Sequence, residues 1–166
     1  IQTVDFSTHD GLRTSMVRTQ SRLSGRLWAS IDTQGNEIRY DYDKLGRVVR
    51  AHRNPDTDFE ALSTFAYQSD DTGLPQTVAR DPLGNQTRTT FDGLGRTILQ
   101  ERKAVDAQAW TAVSGQRYDA RGRLVETITW DTVVLDNAPP RTLQASETRS
   151  YDGWGMVNSI ARSNGY

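Results

Sequence analysis

Apolar and polar residues alternate with a period of two along much of the chain. In Asn36-Glu37-Ile38-Arg39-Tyr40-Asp41-Tyr42 the pattern puts Ile38, Tyr40 and Tyr42 on one face and Arg39 and Asp41 on the other, as in a half-buried β-strand. Arg47-Val48-Val49-Arg50, Thr97-Ile98-Leu99-Gln100 and Leu124 to Trp130 read as return strands, with Leu124, Ile128 and Trp130 on a shared face. Asp-x-x-Gly segments stand between the strands. Asp at the first position can bond the backbone ahead of it, and Gly can take positive φ, so these segments predict tight turns. No segment has helical periodicity. The best helical candidate, Phe59-Glu60-Ala61-Leu62, runs into β-branched and aromatic residues. Arg53 to Asp58, Lys103 to Gln108, and Asp131 to Arg141 with its Pro139-Pro140 read as loops too short to link domains. The predicted class is all-β, built of antiparallel hairpins.

The hairpins repeat. Residues 32–47 and 81–96 align without a gap, agreeing at nine of sixteen positions if Tyr and Phe count as equivalent. The second half of the unit recurs as Tyr42-Asp43-x-x-Gly46-Arg47, Phe91-Asp92-x-x-Gly95-Arg96 and Tyr118-Asp119-x-x-Gly122-Arg123. A further copy, Tyr151-Asp152-x-x-Gly155, carries Met156 in place of Arg. Degenerate copies end at Gly25-Arg26 and run, with an insertion, from Tyr67 to Gly73-Leu74. The anchor glycines at 25, 46, 73, 95, 122 and 155 are 21 to 33 residues apart, a period typical of repeat architectures. The expectation is one array over residues 1–166, with clear repeats at about 32–52, 81–102, 111–130 and 145–160 and degenerate ones at about 12–31 and 61–80.

Composition sharpens this picture. Apolar residues make up only 35% of the chain and the net charge is −1. A near-neutral chain of this kind is ordered but thinly apolar, which suits a curved single-layer sheet better than a two-layer core. Asp outnumbers Glu sixteen to five, a bias towards turns. The eighteen Arg and two Lys alternate with acids, so there is no basic stripe for nucleic acid. No apolar run approaches the ~18 residues of a membrane-spanning helix. The start resembles no signal peptide and lacks Met, which suggests a fragment of a longer chain. The absence of Cys excludes disulfides, thiol nucleophiles and iron–sulfur ligation.

These motifs resemble the YD repeat of the RHS (rearrangement hot spot) family over roughly residues 20 to 160. The segments Asp81-Pro82-Leu83-Gly84-Asn85 and Phe91-Asp92-Gly93-Leu94-Gly95-Arg96 are similar to those of the B components of bacterial insecticidal Tc toxin complexes. The resemblance implies a sheet strip that spirals into a hollow shell enclosing a toxic effector. This chain would be a structural piece of that wall, secreted or extracellular within the complex, with no catalysis and no cofactor or metal of its own. Implied partners are the remaining RHS repeats of the parent chain and the enclosed effector polypeptide. A pore-forming toxin component would be reached through other parts of that chain. Such shells often end in a self-cleaving aspartyl core; no such segment is found here, so its residues are not carried over. Open strand edges imply self-association.

The candidate residues have bland and sharp readings. Tyr42, Phe91, Tyr118 and Tyr151 are expected to pack on the sheet, and Asp43, Asp92, Asp119 and Asp152 to start turns. Gly46, Gly95, Gly122 and Gly155 are expected to complete those turns. Arg47, Arg96 and Arg123 are expected to bridge to carboxylates of neighbouring repeats in a ladder. Asn54-x-Asp56-x-Asp58-x-Glu60 has the alternating oxygens of a calcium loop, but Phe59 and Phe65 stand where that loop needs Gly and Glu. His9 and His52 read as surface residues. Trp28, Trp110, Trp130 and Trp154 are expected to cover the inner face; a line of exposed Trp would instead favour a module that binds a glycan or a cell-surface protein.

Overall fold

The computed structural model describes residues 2–7, 9, 11, 13–133 and 141–165. They form thirteen strands: β1 (Gln2–Ser7), β2 (Arg13–Gln20), β3 (Leu27–Ile31), β4 (Glu37–Tyr42), β5 (Val48–Arg53), β6 (Ala61–Ser69) and β7 (Pro75–Arg80) come first. They are followed by β8 (Gln86–Phe91), β9 (Thr97–Lys103), β10 (Thr111–Tyr118), β11 (Leu124–Val133), β12 (Arg141–Tyr151) and β13 (Val157–Gly165). No helix occurs among the described residues. Lys103 and Asp131–Val133, read as loop from the sequence, extend β9 and β11. Arg141, the other end of that loop, begins β12, and residues 134–140 with Pro139-Pro140 lie outside the described residues.

The chain divides into two compact units, residues 1–66 with 79–84, and residues 67–78 with 85–166. Within each, antiparallel strands follow one another in chain order. The repeat at 81–102 spans a division between the units, at Gly84–Asn85.

Register explains how alternation becomes two faces. Ile38 pairs with Arg53 and Tyr40 with Ala51, while Arg39 pairs with His52 and Asp41 with Arg50. The first set lies on one face and the second on the other. At the tyrosine position the register slips: Asp41 faces Arg50 but Tyr42 faces Val48. The same slip occurs at Thr19/Gln20, Thr90/Phe91, Arg117/Tyr118 and Ser150/Tyr151. Its cause is the turn. A tight turn closed by a left-handed residue inserts one extra residue, a bulge that lets a short loop join twisted strands. The six anchor glycines all have positive φ, from 69° at Gly25 to 88° at Gly155.

Among the described residues no apolar side chain is fully buried, and the buried polar ones are Gln76 and Thr90. This fits the single-layer expectation. Stability must come from strand pairing and from side chains that span neighbouring hairpins, as in repeat arrays.

Candidate functional site

The recurring turn forms a closed clasp. Asp43 N–H donates to the Arg47 carbonyl and Gly46 N–H to the Asp43 carbonyl, both at 2.9 Å. Asp43 Oδ1 accepts the Arg47 N–H at 2.9 Å, and Arg47 Nε donates to Asp43 Oδ2 at 2.8 Å. Asp92–Arg96 repeats this geometry at 2.9 and 2.7 Å, and Asp119–Arg123 at 2.9 and 2.8 Å. The Arg backbone N–H first, and its guanidinium second, hold all three carboxyls below the usual carboxylate range. Asp32 makes the equivalent turn with Asn36, whose amide donates to Asp32 Oδ2 at 2.9 Å. Asp152 accepts the N–H groups of Trp154 and Met156.

Among the described residues, Arg96 and Arg123 do not form the ladder to carboxylates of other repeats expected of them and of Arg47. Each pairs with the Asp four residues before it in its own turn. The turn brings the two side chains together without any inter-row alignment, and the fork of Arg matches the carboxylate.

The link to the next repeat is made by the tyrosine. Arg96 lies 4.3 Å from the Tyr118 ring centre, and Arg123 lies 4.5 Å from that of Tyr151, a cation–π geometry. Each tyrosine hydroxyl then donates to the carbonyl of the residue following that Arg: Tyr118 to Thr97 at 3.2 Å and Tyr151 to Leu124 at 2.7 Å. Tyr42 does the same to Leu27 at 2.6 Å. The turn glycine completes the fit. A Cβ on Gly122 would sit 2.9 Å from Arg96 Nη1, and one on Gly46 would collide with the Arg26 guanidinium. Two departures coincide in the sequence: Leu74 replaces the Arg of its turn, and the next repeat carries Phe91, which has no hydroxyl to donate. In that degenerate turn Asp70 and Gly73 keep the usual spacing, with Ser69 at the tyrosine position.

In the second unit a polar chain crosses three strands. Gln68 Nε2 donates to Gln76 Oε1 at 3.1 Å, and Gln76 Nε2 donates to Thr90 Oγ1 at 2.9 Å. Beside it, Arg88 makes a bidentate pair with Glu101 at 2.7 and 2.9 Å, which raises the Arg88 pKa. The Arg88 guanidinium also lies 4.5 Å from the Trp110 ring centre. Gln68, Gln76, Thr90, Arg88 and Glu101 border an open cleft of about 450 Å³.

His52 is not the surface residue read from the sequence. It is three-quarters covered, with Nδ1 3.1 Å from Glu60 Oε1 and Nε2 3.5 Å from Asp41 Oδ2. Among the described residues no hydroxyl is hydrogen-bonded to it. The 54–60 loop carries left-handed Asn54 and Asp56. Of its acids, Asp56 bonds Arg39 and Glu60 contacts the His52 ring. Among the described residues no group of three or more side chains is placed to hold a metal. His9 is exposed. Of the tryptophans, Trp110 and Trp130 are half-buried, with Trp130 over Gly115 and donating to Gln144 at 3.2 Å. Trp28 and Trp154 are exposed, against expectation. Trp154 sits at a turn tip where nothing packs over it, and Trp28 borders an open cleft.

No protein-family model matches the chain, and no curated protein matches it. Among solved structures it is similar to the crystal structure of TcdB2-TccC3-TEV, with a TM-score of 0.30 and 10% identity. The likeness covers 90% of this chain and 11% of that one, so this chain spans about a ninth of its length.

Proposed function

We propose that this chain is a structural wall segment of an RHS-type shell that encloses a toxic effector in a bacterial toxin complex. The observation that carries the reading is the clasp: one turn geometry, repeated, in which Arg47, Arg96 and Arg123 are held by their own Asp, and Arg96 and Arg123 lie against the next repeat's Tyr. Such a device joins hairpins serially and makes a sheet stable without an apolar core. It works as a wall, with no reaction performed by this segment. The partners are further repeats of a parent chain and an enclosed polypeptide, with a pore-forming component engaged elsewhere on that chain, outside the cell. The test is electron microscopy of native particles captured from the source cells with an antibody against this chain. A hollow particle with this sheet in its wall is the expected image. A solid particle, or the chain free of any assembly, overturns the proposal.

A further inference from the structure

Comparing the clasps with one another singles out Arg26. It occupies the place of Arg47, Arg96 and Arg123, but its turn begins with Ser21 where theirs begin with Asp43, Asp92 and Asp119. The closure is one residue longer than in the clasps: Ser21 N–H donates to the Arg26 carbonyl and Gly25 N–H to the Ser21 carbonyl, both at 2.9 Å, and the Arg26 N–H donates to Ser24 Oγ at 3.4 Å. Ser21 Oγ accepts the Ser24 N–H at 3.2 Å. A hydroxyl can serve the turn in this way but cannot neutralise a guanidinium. Among the described residues no carboxylate is hydrogen-bonded or ion-paired to Arg26. Its guanidinium also lies 5.8 Å from the Tyr42 ring centre, farther than the 4.3 and 4.5 Å of its counterparts.

Arg26 and Trp28 line one open cleft of about 610 Å³. The other charges there are committed. Arg39 pairs with Glu37 and Asp56, Asp43 with Arg47, and Asp41 contacts Arg50 and His52. The cleft thus holds a cation to which, among the described residues, no carboxylate is bonded, beside an indole that is 58% exposed. Arg26 immediately precedes β3 and Trp28 is its second residue, at the bulge opposite Thr19 and Gln20, and both border the same cleft. An indole face takes a ring and a free guanidinium takes a carboxylate, so a ligand that carries both matches this pair.

We propose that this cleft binds a carboxylate-bearing sugar, with the ring stacked on Trp28 and the carboxylate held by Arg26. The contribution of each part follows from general chemistry: a guanidinium takes a carboxylate by charge-assisted bonds, and an exposed indole offers an apolar face with a polar edge. The site is independent of the shell reading.

The test is an NMR titration of the protein with D-glucuronate, D-glucose, acetate and N-acetylglutamate, following the Trp28 indole N–H, assigned with Trp28→Phe. Glucuronate is expected to shift that signal saturably in the millimolar range. Glucose, acetate and N-acetylglutamate should each bind about tenfold more weakly or worse, since each lacks the ring or the charge. Ser21→Asp should supply the missing carboxylate, abolish glucuronate binding, and leave the melting temperature unchanged or higher. If that variant melts lower, Arg26→Gln carries the test in its place, and undiminished affinity there overturns the proposal. It is also overturned by the absence of a saturable Trp28 shift, or by glucose, acetate or N-acetylglutamate matching glucuronate. Retained affinity in a stable Ser21→Asp protein overturns it as well.

Discussion

Gln76 and Thr90 show how little apolar burial this chain relies on at the scale of single residues. Their side chains are 7% and 4% exposed, and each satisfies the other through the 2.9 Å bond from Gln76 Nε2. A buried amide without an acceptor bears its full desolvation cost. Thr90→Val, nearly isosteric, should therefore destabilise the protein by ~1–3 kcal/mol. Adding Gln76→Leu removes the stranded group, so the double variant should recover part of the loss. Chemical denaturation of the four proteins measures the coupling directly. A neutral Thr90→Val would mean that water or a rotated amide serves Gln76 instead. This pair could not have been read from the sequence. Its members are fourteen residues apart on different strands, and both are unremarkable polar residues in alternating segments. The covered position of His52 was hidden for the same reason, since Asp41 and Glu60 meet it only through strand register and a loop. The tyrosines were legible in part. That their hydroxyls find partners followed from chemistry; which carbonyl accepts them did not.

At the scale of the turn, electrostatics predict a pH response with a definite sign. Asp43, Asp92 and Asp119 have carboxyls held below their ordinary value, first by the Arg backbone N–H and then by its side chain. Asp32 is lowered chiefly by Asn36, Asp70 by Thr72, and Glu147 by Arg149 and Arg162. A depressed carboxyl adds stability that is fully present above its unfolded pKa, about 3.9 for Asp, and is lost as pH falls through the folded value. The melting temperature should thus be insensitive to these groups from neutral pH down to ~4, then fall below it. Asp119→Asn keeps an acceptor for the Arg123 N–H but loses the charge, so its melting curve should depend less steeply on pH in that acid range. Melts at constant ionic strength from neutral to strongly acid pH test this, and an identical acid slope in both proteins counts against the clasp. The turn itself was plain in the Asp-x-x-Gly spacing. The misread part was the Arg partner: a four-residue separation allows both a local pair and a bridge to another repeat, and only the bulged hairpin geometry selects the local one.

The edge of the sheet governs the behaviour of the whole molecule. β13 has β12 as its one hydrogen-bonded neighbour in the strand order, and Val157 and Ile160 on it are each about half exposed, at 50% and 51%. The turn before it carries Met156 where other clasps have Arg, and Met156 and Trp154 are also exposed. Unpaired backbone groups beside apolar side chains form a template for another strand. Leu23 and Leu45 at turn tips add exposed apolar surface. With no buried apolar core among the described residues to compete for these side chains, association is the available way to cover them. Light scattering on a sizing column should show a mass that rises with protein concentration. Ile160→Lys, which places a charge on the edge strand, should shift the distribution towards monomer without lowering the melting temperature. A constant monomer mass at all concentrations would mean that the edge is protected in solution. An association that persists undiminished in Ile160→Lys would move the contact to the leucine-tipped turns, where Leu23→Ser and Leu45→Ser should then dissolve it.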